Sequence, residues 1–258
     1  MILAIDVGNT NIVIGCCDSK ENKVLFTERL STSHSATVLE YAISFKNVLE
    51  LYGIDPKDIE GGMISSVVPS ATLAIKQAVA KLTGKNMLVV GPGIKTGLVI
   101  QMENPKQLGS DLVVGAVAAI AKYKAPMVIF DLGTATTAAV INENNTYIGG
   151  MIMPGVNVSL NSLTSSTSQL PKISLEAPKK LIGGNTVECM TSGIFYSTAA
   201  SLDGIADRIE GEMGQPVTVI ATGGLASTIV PFCRRDIIIN DDLLLEGLMI
   251  LYSKNRTK

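Results

Sequence analysis

Residues 1–15 read MILAIDVGNTNIVIG, and residues 127–140 read MVIFDLGTATTAAV. Each stretch places a short apolar run, typical of a buried β-strand, directly before Asp-x-Gly, adds small polar residues, and then becomes apolar again. Because glycine allows a sharp backbone turn, each stretch predicts a β-hairpin. The two aspartates, Asp6 and Asp131, are 131 − 6 = 125 positions apart in a chain of 258 residues. The repeat therefore predicts a structural unit that occurs twice.

The segments that follow each hairpin come in a matching order, which predicts one α/β unit per copy. In the first half we expect three strands, a helix over residues 36–52, and then a strand, a helix and a strand. In the second half we expect three strands, helices near residues 155–168 and 186–212, a strand at VTVIATGG and a terminal helix. This order predicts two domains, residues 1–118 and 119–258, with a ligand in the cleft between the copies.

Composition and charge favour a small-molecule ligand. The chain is 47% hydrophobic with a net charge of −2, and its Lys and Arg residues are scattered, so we expect no nucleic-acid partner. The longest apolar stretch, LVVGAVAAIA at residues 112–121, is shorter than the roughly 18 residues that cross a membrane. The N-terminus has no basic region before its apolar run, which is unlike a signal peptide. We therefore expect a cytoplasmic protein without membrane contact.

The two hairpin turns have the chemistry of phosphate-binding loops. Gly8 and Gly133 allow backbone N–H groups to come close to a ligand. Further donors follow in each turn, namely Asn9, Thr10 and Asn11 in the first and Thr134, Thr136 and Thr137 in the second. The carboxylates of Asp6 and Asp131 could hold a cation against a polyphosphate, since Mg²⁺ usually combines few carboxylates with substrate oxygens. A single Asp-x-Gly turn is ordinarily only a hairpin turn, whereas two matched copies favour a phosphate site.

A third element, VTVIATGGLAS at residues 217–227, ends a β-type run in two glycines. Backbone without side chains at Gly223 and Gly224 can lie against a flat base or a ribose. The alternative is a tight turn that leads from a strand into a helix. No GxxxxGK[ST] pattern occurs in the sequence, which excludes a P-loop nucleotide site. Together with the two hairpins, the glycine pair predicts an adenosine site.

The order of short motifs resembles that of type III pantothenate kinases, which belong to the acetate kinase, sugar kinase, heat-shock 70 and actin superfamily. From residue 1 to about residue 253, the motifs are DVGNTN, GPGIKTGL, ENPKQLGSD, DLGTATT, MPGVNVSL, GGNTVE, ATGG and DLLLEGL. The resemblance implies an α/β fold of two duplicated ribonuclease H-like (actin-like ATPase) domains with an interdomain cleft. It implies ATP-dependent phosphorylation of pantothenate to 4′-phosphopantothenate, the first step of coenzyme A biosynthesis. It also implies Mg²⁺, a monovalent cation (K⁺ or NH₄⁺) and a homodimer.

The resemblance further implies roles for individual residues. Asp111 would accept the proton of the substrate hydroxyl, and Asp131 would bind K⁺. For Asp6, the position of its carboxylate beside the phosphates predicts a contribution to Mg²⁺ binding. ATP would contact the two turns and the glycine pair, at Asp6, Val7, Gly8, Asn9, Thr10, Asn11, Ile12, Val13, Thr134, Gly223 and Gly224. Pantothenate would contact a second group of residues, Met102, Gly109, Ser110, Asp111, Leu112 and Thr186.

The sequence around Asp111 supports the role of a general base. Asp111 follows Gly109-Ser110 and precedes an apolar run, a pattern that predicts the first turn of a helix. Burial raises the pKa of a carboxyl group and a helix N-terminus lowers it, and a base needs a balance of the two. The alternative is an acidic residue that only complements the helix dipole. Two residues depart from the family pattern: Leu112 stands where Arg is usual, and Met102 where Tyr is common.

Two other functions stay open at this stage. One is a catalytically degenerate nucleotide-binding regulator of the Bvg accessory factor type. The other is an actin-like filament protein, for which 258 residues leave little room for the insertions required. The presence of Asp6, Asp111 and Asp131 favours the kinase.

Overall fold

Two sheets organise the chain, one in each of two compact units. The computed structural model describes residues 1–18 and 23–256. Unit 1 comprises Met1–Leu98, Asn104–Lys122 and Asp242–Lys258, and unit 2 comprises Val99–Glu103 and Tyr123–Asp241. Within the described ranges, no helix combines the length and the apolar character that a membrane span requires.

The strands and helices alternate along the chain in the order typical of an α/β protein. The strands are β1 (Ile2–Val7), β2 (Asn11–Asp18), β3 (Lys23–Ser31), β4 (Gly61–Ser66), β5 (Leu88–Val89), β6 (Val99–Ile100), β7 (Met127–Leu132), β8 (Ala135–Ile141), β9 (Thr146–Pro154), β10 (Thr218–Thr222) and β11 (Ile238–Ile239). The α-helices are α1 (Val38–Leu51), α2 (Pro69–Thr83), α3 (Ser110–Lys122), α4 (Val156–Ser166), α5 (Thr186–Met213), α6 (Ala226–Ile229) and α7 (Leu243–Asn255).

The sheet of unit 1 has the strand order β3-β2-β1-β4-β5, in which β1 is antiparallel to β2 and parallel to β4. Because the side chains of a strand alternate between its two faces, β1 contributes to two cores. Leu3, Ile5 and Val7 pack with α1 and α2, whereas Ile2 and Ala4 pack with α3 and α7. Both faces of β1 are therefore covered, which explains why the strand is apolar until its carboxyl end.

The sheet of unit 2 has the strand order β11-β10-β7-β8-β9-β6. Here β7 takes the place of β1, since it is antiparallel to β8 and parallel to β10. Val128, Phe130 and Leu132 pack with α4 and α5 on one face of the sheet. A third antiparallel strand follows each hairpin, β3 in unit 1 and β9 in unit 2. The predicted duplication is thus confirmed at the level of strand order and pairing.

Local sequence signals account for the starts of helices α1 and α2. Helix α1 begins where Thr37 forms a capping box with Glu40, close to the predicted start. Helix α2 begins at Pro69, earlier than the predicted segment IKQAVAKLT, because proline is well tolerated in the first turn of a helix. The short strands β6 and β11 have two residues each and were not predicted.

The C-terminal helix α7 packs on the sheet of unit 1. Leu245 and Leu248 share a buried cluster with Ile2 of β1. The contacts therefore group α7 with the first sheet, although the predicted division assigned residues 119–258 to one domain. The division into residues 1–118 and 119–258 stays a prediction of where one duplicated copy ends and the other begins.

Candidate active site

The turn between β1 and β2 is held in one shape by three hydrogen bonds. The backbone N–H of Gly8 donates to the carbonyl oxygen of Asn11 at 2.9 Å. The backbone N–H of Thr32 donates to the carbonyl oxygen of Thr10 at 2.9 Å, and its Oγ1 donates to the carbonyl oxygen of Gly8 at 2.7 Å. Thr32 was not among the predicted site residues, although a polar residue shortly after a predicted strand was an available signal. The carbonyl oxygens of Gly8, Thr10 and Asn11 therefore already accept hydrogen bonds from the protein itself.

Only part of the segment from residue 6 to residue 13 is open to a ligand. Asn9, Thr10 and Asn11 are exposed, whereas Val7 and Ile12 are buried. Val7 and Ile12 have no exposed surface, so their side chains offer no contact to a ligand.

The turn between β7 and β8 carries the second predicted phosphate site. The N–H of Gly133 donates to the carbonyl oxygen of Ala135 at 3.2 Å, and Thr134 is exposed. The residue before α4, Gly155, lies against this turn, because a Cβ there would be 2.6 Å from the carbonyl oxygen of Gly133. The close approach of two backbones requires glycine at this position.

The two threonines that follow this turn do not offer their hydroxyl groups to a ligand. Thr136 pairs with Leu132 across the hairpin and is 3% exposed, so its side chain lies on the core side of the sheet. The Oγ1 atoms of Thr136 and Thr137 are buried and have no hydrogen-bond partner among the described residues. The prediction that these hydroxyl groups serve as accessible donors is therefore wrong, and of the three threonines only Thr134 is an exposed residue.

Asp131 and Gly223 are neighbours at the carboxyl ends of β7 and β10. The two strands are parallel, with Asp131 opposite Thr222. Gly223 has φ +93°, and a Cβ on it would collide with Oδ1 of Asp131 and lie 2.7 Å from the backbone nitrogen of Leu132. Gly224 is exposed and precedes the short helix α6. The structure thus places the predicted cation ligand of unit 2 directly beside the predicted adenosine glycines.

Asp111 lies in the first turn of α3, as predicted. Its Oδ1 accepts a hydrogen bond of 2.8 Å from the backbone N–H of Leu112. A Cβ on Gly109 would collide with the same oxygen, so glycine leaves room for the carboxylate. Burial raises the pKa of Asp111, while the hydrogen bonds from the helix backbone oppose this rise. Both opposing effects expected from the sequence are present, and burial is the larger.

The residues predicted to contact pantothenate fall into two groups. Gly109, Ser110, Asp111 and Leu112 lie together at the start of α3 in unit 1. Met102 and Thr186 belong to unit 2, where Met102 is 37% exposed and Thr186 begins α5 after the N-cap residue Asn185.

The predicted cation ligands do not form a protein cage. Across the described ranges, no group of three or more His, Cys, Asp or Glu side chains could hold a metal ion. Asp6 and Asp131 instead lie each at the start of a turn, beside groups suited to phosphate. Such single carboxylates fit Mg²⁺ or K⁺ only when substrate oxygens complete the coordination.

Comparison of the sequence with known proteins points to one family. A family described as type III pantothenate kinase matches residues 2–208. A curated type III pantothenate kinase from an Exiguobacterium species is 42% identical over 256 residues, covering 99% of this chain and 100% of the relative. The type III pantothenate kinase of Halalkalibacterium halodurans is 42% identical over 255 residues, covering 99% and 100% of the two chains.

Comparison with solved structures addresses the fold alone. An activator of 2-hydroxyisocaproyl-CoA dehydratase from Clostridium difficile, solved with ADPNP, is similar with a TM-score of 0.58 at 12% identity, covering 98% of this chain and 94% of the other. A Baf family protein from Campylobacter jejuni is similar with a TM-score of 0.57 at 18% identity, covering 98% of each chain. The predicted α/β fold of the actin-like ATPase class is confirmed.

Proposed function

This chain belongs to the type III pantothenate kinase family, and from that membership we propose that it transfers the γ-phosphoryl group of ATP to pantothenate. The product is 4′-phosphopantothenate, and the reaction is the first step of coenzyme A biosynthesis. The observation that carries the proposal is the identity of 42% over almost the full length of a type III pantothenate kinase. The geometry around Asp111 supports the same reaction, because phosphorylation of an alcohol releases a proton.

Asp111 is the proton acceptor in this proposal. The primary hydroxyl oxygen of pantothenate attacks the γ-phosphorus, the bond to the β,γ-bridging oxygen breaks, and ADP leaves with that electron pair. The hydroxyl proton passes to the carboxylate of Asp111. A carboxyl group whose pKa is raised by burial is a stronger base than an exposed one, which suits this task.

The two turns bind the phosphates of ATP in this proposal. In the first turn the phosphates meet Asn9, Thr10 and Asn11, which are exposed, whereas the N–H of the half-buried Gly8 is used within the turn by the carbonyl oxygen of Asn11. Thr134 serves the second turn. Amide and hydroxyl groups are donors, which suits phosphate oxygens. Gly223 and Gly224 offer bare backbone to the adenosine.

Cations complete the proposed site. Mg²⁺ would be held by Asp6 together with phosphate oxygens, and K⁺ or NH₄⁺ by Asp131. When bound, these ions neutralise phosphate charge, which would otherwise repel both carboxylates. The side chain of Asp6 is only 8% exposed, so its contribution requires close approach of the ion to the end of β1.

A homodimer in the cytoplasm is the remaining part of the proposal. Unit 2 exposes large apolar side chains that a second copy could cover, among them Ile152 at 80%, Leu181 at 60% and Ile182 at 81%. Large apolar side chains exposed to this extent favour association. Sedimentation of the purified chain tests this point.

One assay tests the proposed reaction. Purified protein is supplied with ATP, Mg²⁺ and K⁺, and ADP release is followed with pantothenate and with a panel of other small primary alcohols. We expect release with pantothenate only. ATP binding without turnover of any alcohol would favour the regulator of the Bvg accessory factor type, and turnover of another alcohol alone would assign a different substrate.

A further inference from the structure

Ser110, which precedes the proposed base, has its hydroxyl group fully engaged by the protein. Its Oγ donates to the carbonyl oxygen of Ser66 at 3.1 Å and accepts from the backbone N–H of Ser66 at 3.1 Å. The Oγ atom of Ser65 lies 3.0 Å away and can supply the remaining hydrogen. A serine hydroxyl has one hydrogen and two lone pairs, so these three contacts use all of them. None of the three is left for pantothenate.

The partners of Ser110 belong to the strand that flanks the first phosphate turn. Ser65 has no exposed surface, and on β4 it lies opposite Asp6 of β1 in the parallel register. The pairing continues past the strand end, where the N–H of Val67 donates to the carbonyl oxygen of Val7 at 3.1 Å. The start of α3 is thereby attached to the carboxyl end of the β1–β4 pair.

The carboxylate of Asp111 follows the start of α3, because its Oδ1 is bonded to the backbone N–H of Leu112 in the same turn. Any contact that fixes the first turn of α3 therefore also fixes the carboxylate of Asp111, the proposed proton acceptor. The buried hydroxyl of Ser65 and the half-buried, fully engaged hydroxyl of Ser110 restrict the motion of this turn, which suits them to this purpose.

We propose that Ser65 and Ser110 are positioning residues, which hold the carboxylate of Asp111 at a set place relative to the first phosphate turn. The inference rests on the proposed function, in which Asp111 is the base and the turn binds phosphate. It replaces the substrate contact that the family resemblance implies for Ser110. Because a misplacement of about 1 Å can cost roughly 100-fold in rate, loss of the pair should appear in kcat rather than in KM.

The test uses Ser110→Ala, Ser65→Ala and the double variant in the full-length protein. We expect kcat to fall by about 10- to 100-fold in Ser110→Ala, with KM for pantothenate and for ATP within about twofold of the parent. The double variant should lose no more than Ser110→Ala, because both changes break one arrangement. Ser44→Ala is the matched control, since its Oγ also donates to a backbone carbonyl, that of Glu40 at 2.9 Å, on the exposed side of α1.

A second measurement does not depend on turnover. The carboxyl carbon of Asp111 is titrated by NMR in the parent, in Ser110→Ala and in Ser44→Ala, with Asp111→Asn to assign the signal. Freeing the first turn of α3 admits water, so the pKa of Asp111 should move toward its ordinary value in Ser110→Ala and stay unchanged in the control.

The outcomes separate the two proposals. If the parent does not phosphorylate pantothenate, the proposed function fails, while the titration still decides whether the serine pair holds Asp111. If Ser110→Ala keeps kcat and raises only KM for pantothenate, Ser110 contacts substrate and the positioning role is wrong. Unchanged kcat together with an unchanged Asp111 titration would overturn the inference as well.

Discussion

The carboxylate of Asp131 lies against the backbone of Gly223, so a Cβ at residue 223 would collide with Oδ1 of Asp131. Gly223 also has φ +93°, a conformation that other residues adopt only with strain. Gly223→Ala must therefore displace either the carboxylate or the turn. We expect affinity for a non-hydrolysable ATP analogue to fall at least tenfold, measured by titration calorimetry, because the altered groups are those proposed for the cation and the adenosine.

Gly214→Ala is the matched control for this change. Gly214 also has a positive φ, of +67°, but a Cβ there would meet nothing within 4 Å. The control should lose stability, by about 1 kcal/mol, and keep ATP affinity. If the two variants bound the analogue equally well, the contact between Gly223 and Asp131 would have no part in ATP binding.

Replacement of Asp111 tests the general base. Asp111→Asn keeps the shape and polarity of the side chain and removes the proton acceptor, so kcat should fall by about 10²- to 10⁴-fold while ATP affinity is retained. Asp58→Asn, at an exposed position of the same unit, should leave kcat unchanged. If Asp111→Asn keeps more than half of the parent's turnover, Asp111 is not the base and only complements the dipole of α3.

The raised pKa of Asp111 predicts opposite effects of pH on activity and stability. In the proposed mechanism turnover requires the carboxylate, so the acid limb of the rate profile should lie at a higher pH than an ordinary aspartate would give. A carboxyl group with a pKa raised by folding contributes stability below its unfolded pKa, and this contribution is lost as pH rises through the folded pKa. Asp111→Asn should therefore unfold at a higher temperature than the parent near neutral pH. In acid, where the parent carboxyl is protonated, the two melting temperatures should converge, and a difference that is independent of pH would contradict this account.

The sequence predicted the features that depend on local pattern. Both hairpins follow from apolar runs before Asp-x-Gly, and the start of α3 follows from Gly109-Ser110-Asp111 before an apolar run. Residues that act through contacts distant in sequence were missed. Ser65 is itself buried in β4, and nothing local to this strand shows that its hydroxyl meets Ser110, which is 45 positions away. For the same reason, the pattern of α7 predicts a helix but does not tell which sheet it covers.

The proposed cation requirement depends on Asp131. A carboxylate close to polyphosphate needs a cation to avoid repulsion, so we expect turnover to require K⁺ or NH₄⁺, with Na⁺ a poor substitute. Asp131→Ala should abolish this dependence together with most of the activity, whereas Asp236→Ala, an exposed change in the same unit, should leave both unchanged. The measurement is the initial rate in K⁺, NH₄⁺, Na⁺ and a bulky organic cation. Equal parent rates in all four would show that no monovalent ion is needed.

Leu112 lies next to the proposed base, at a position where the family resemblance implies arginine. In this chain the residue is a half-buried leucine whose N–H donates to Asp111. A guanidinium could form a charge-assisted hydrogen bond with pantothenate, and such bonds are worth about 1.5 to 3 kcal/mol. We therefore expect this protein to be an active kinase with a weakened affinity for pantothenate.

The reverse substitution tests this expectation, because Leu112→Arg should restore the missing contact. We expect KM for pantothenate to fall by roughly ten- to a hundredfold, the equivalent of one such hydrogen bond, while KM for ATP stays the same. Leu112→Met is the matched control, since it keeps an apolar side chain of similar volume and adds no charge. The experiment varies each substrate in turn for the parent and both variants. If Leu112→Arg leaves KM for pantothenate unchanged or raises it, the expectation is wrong. In that case another cationic group, such as the exposed Lys95 or Lys106, already binds pantothenate in place of the arginine of the family pattern.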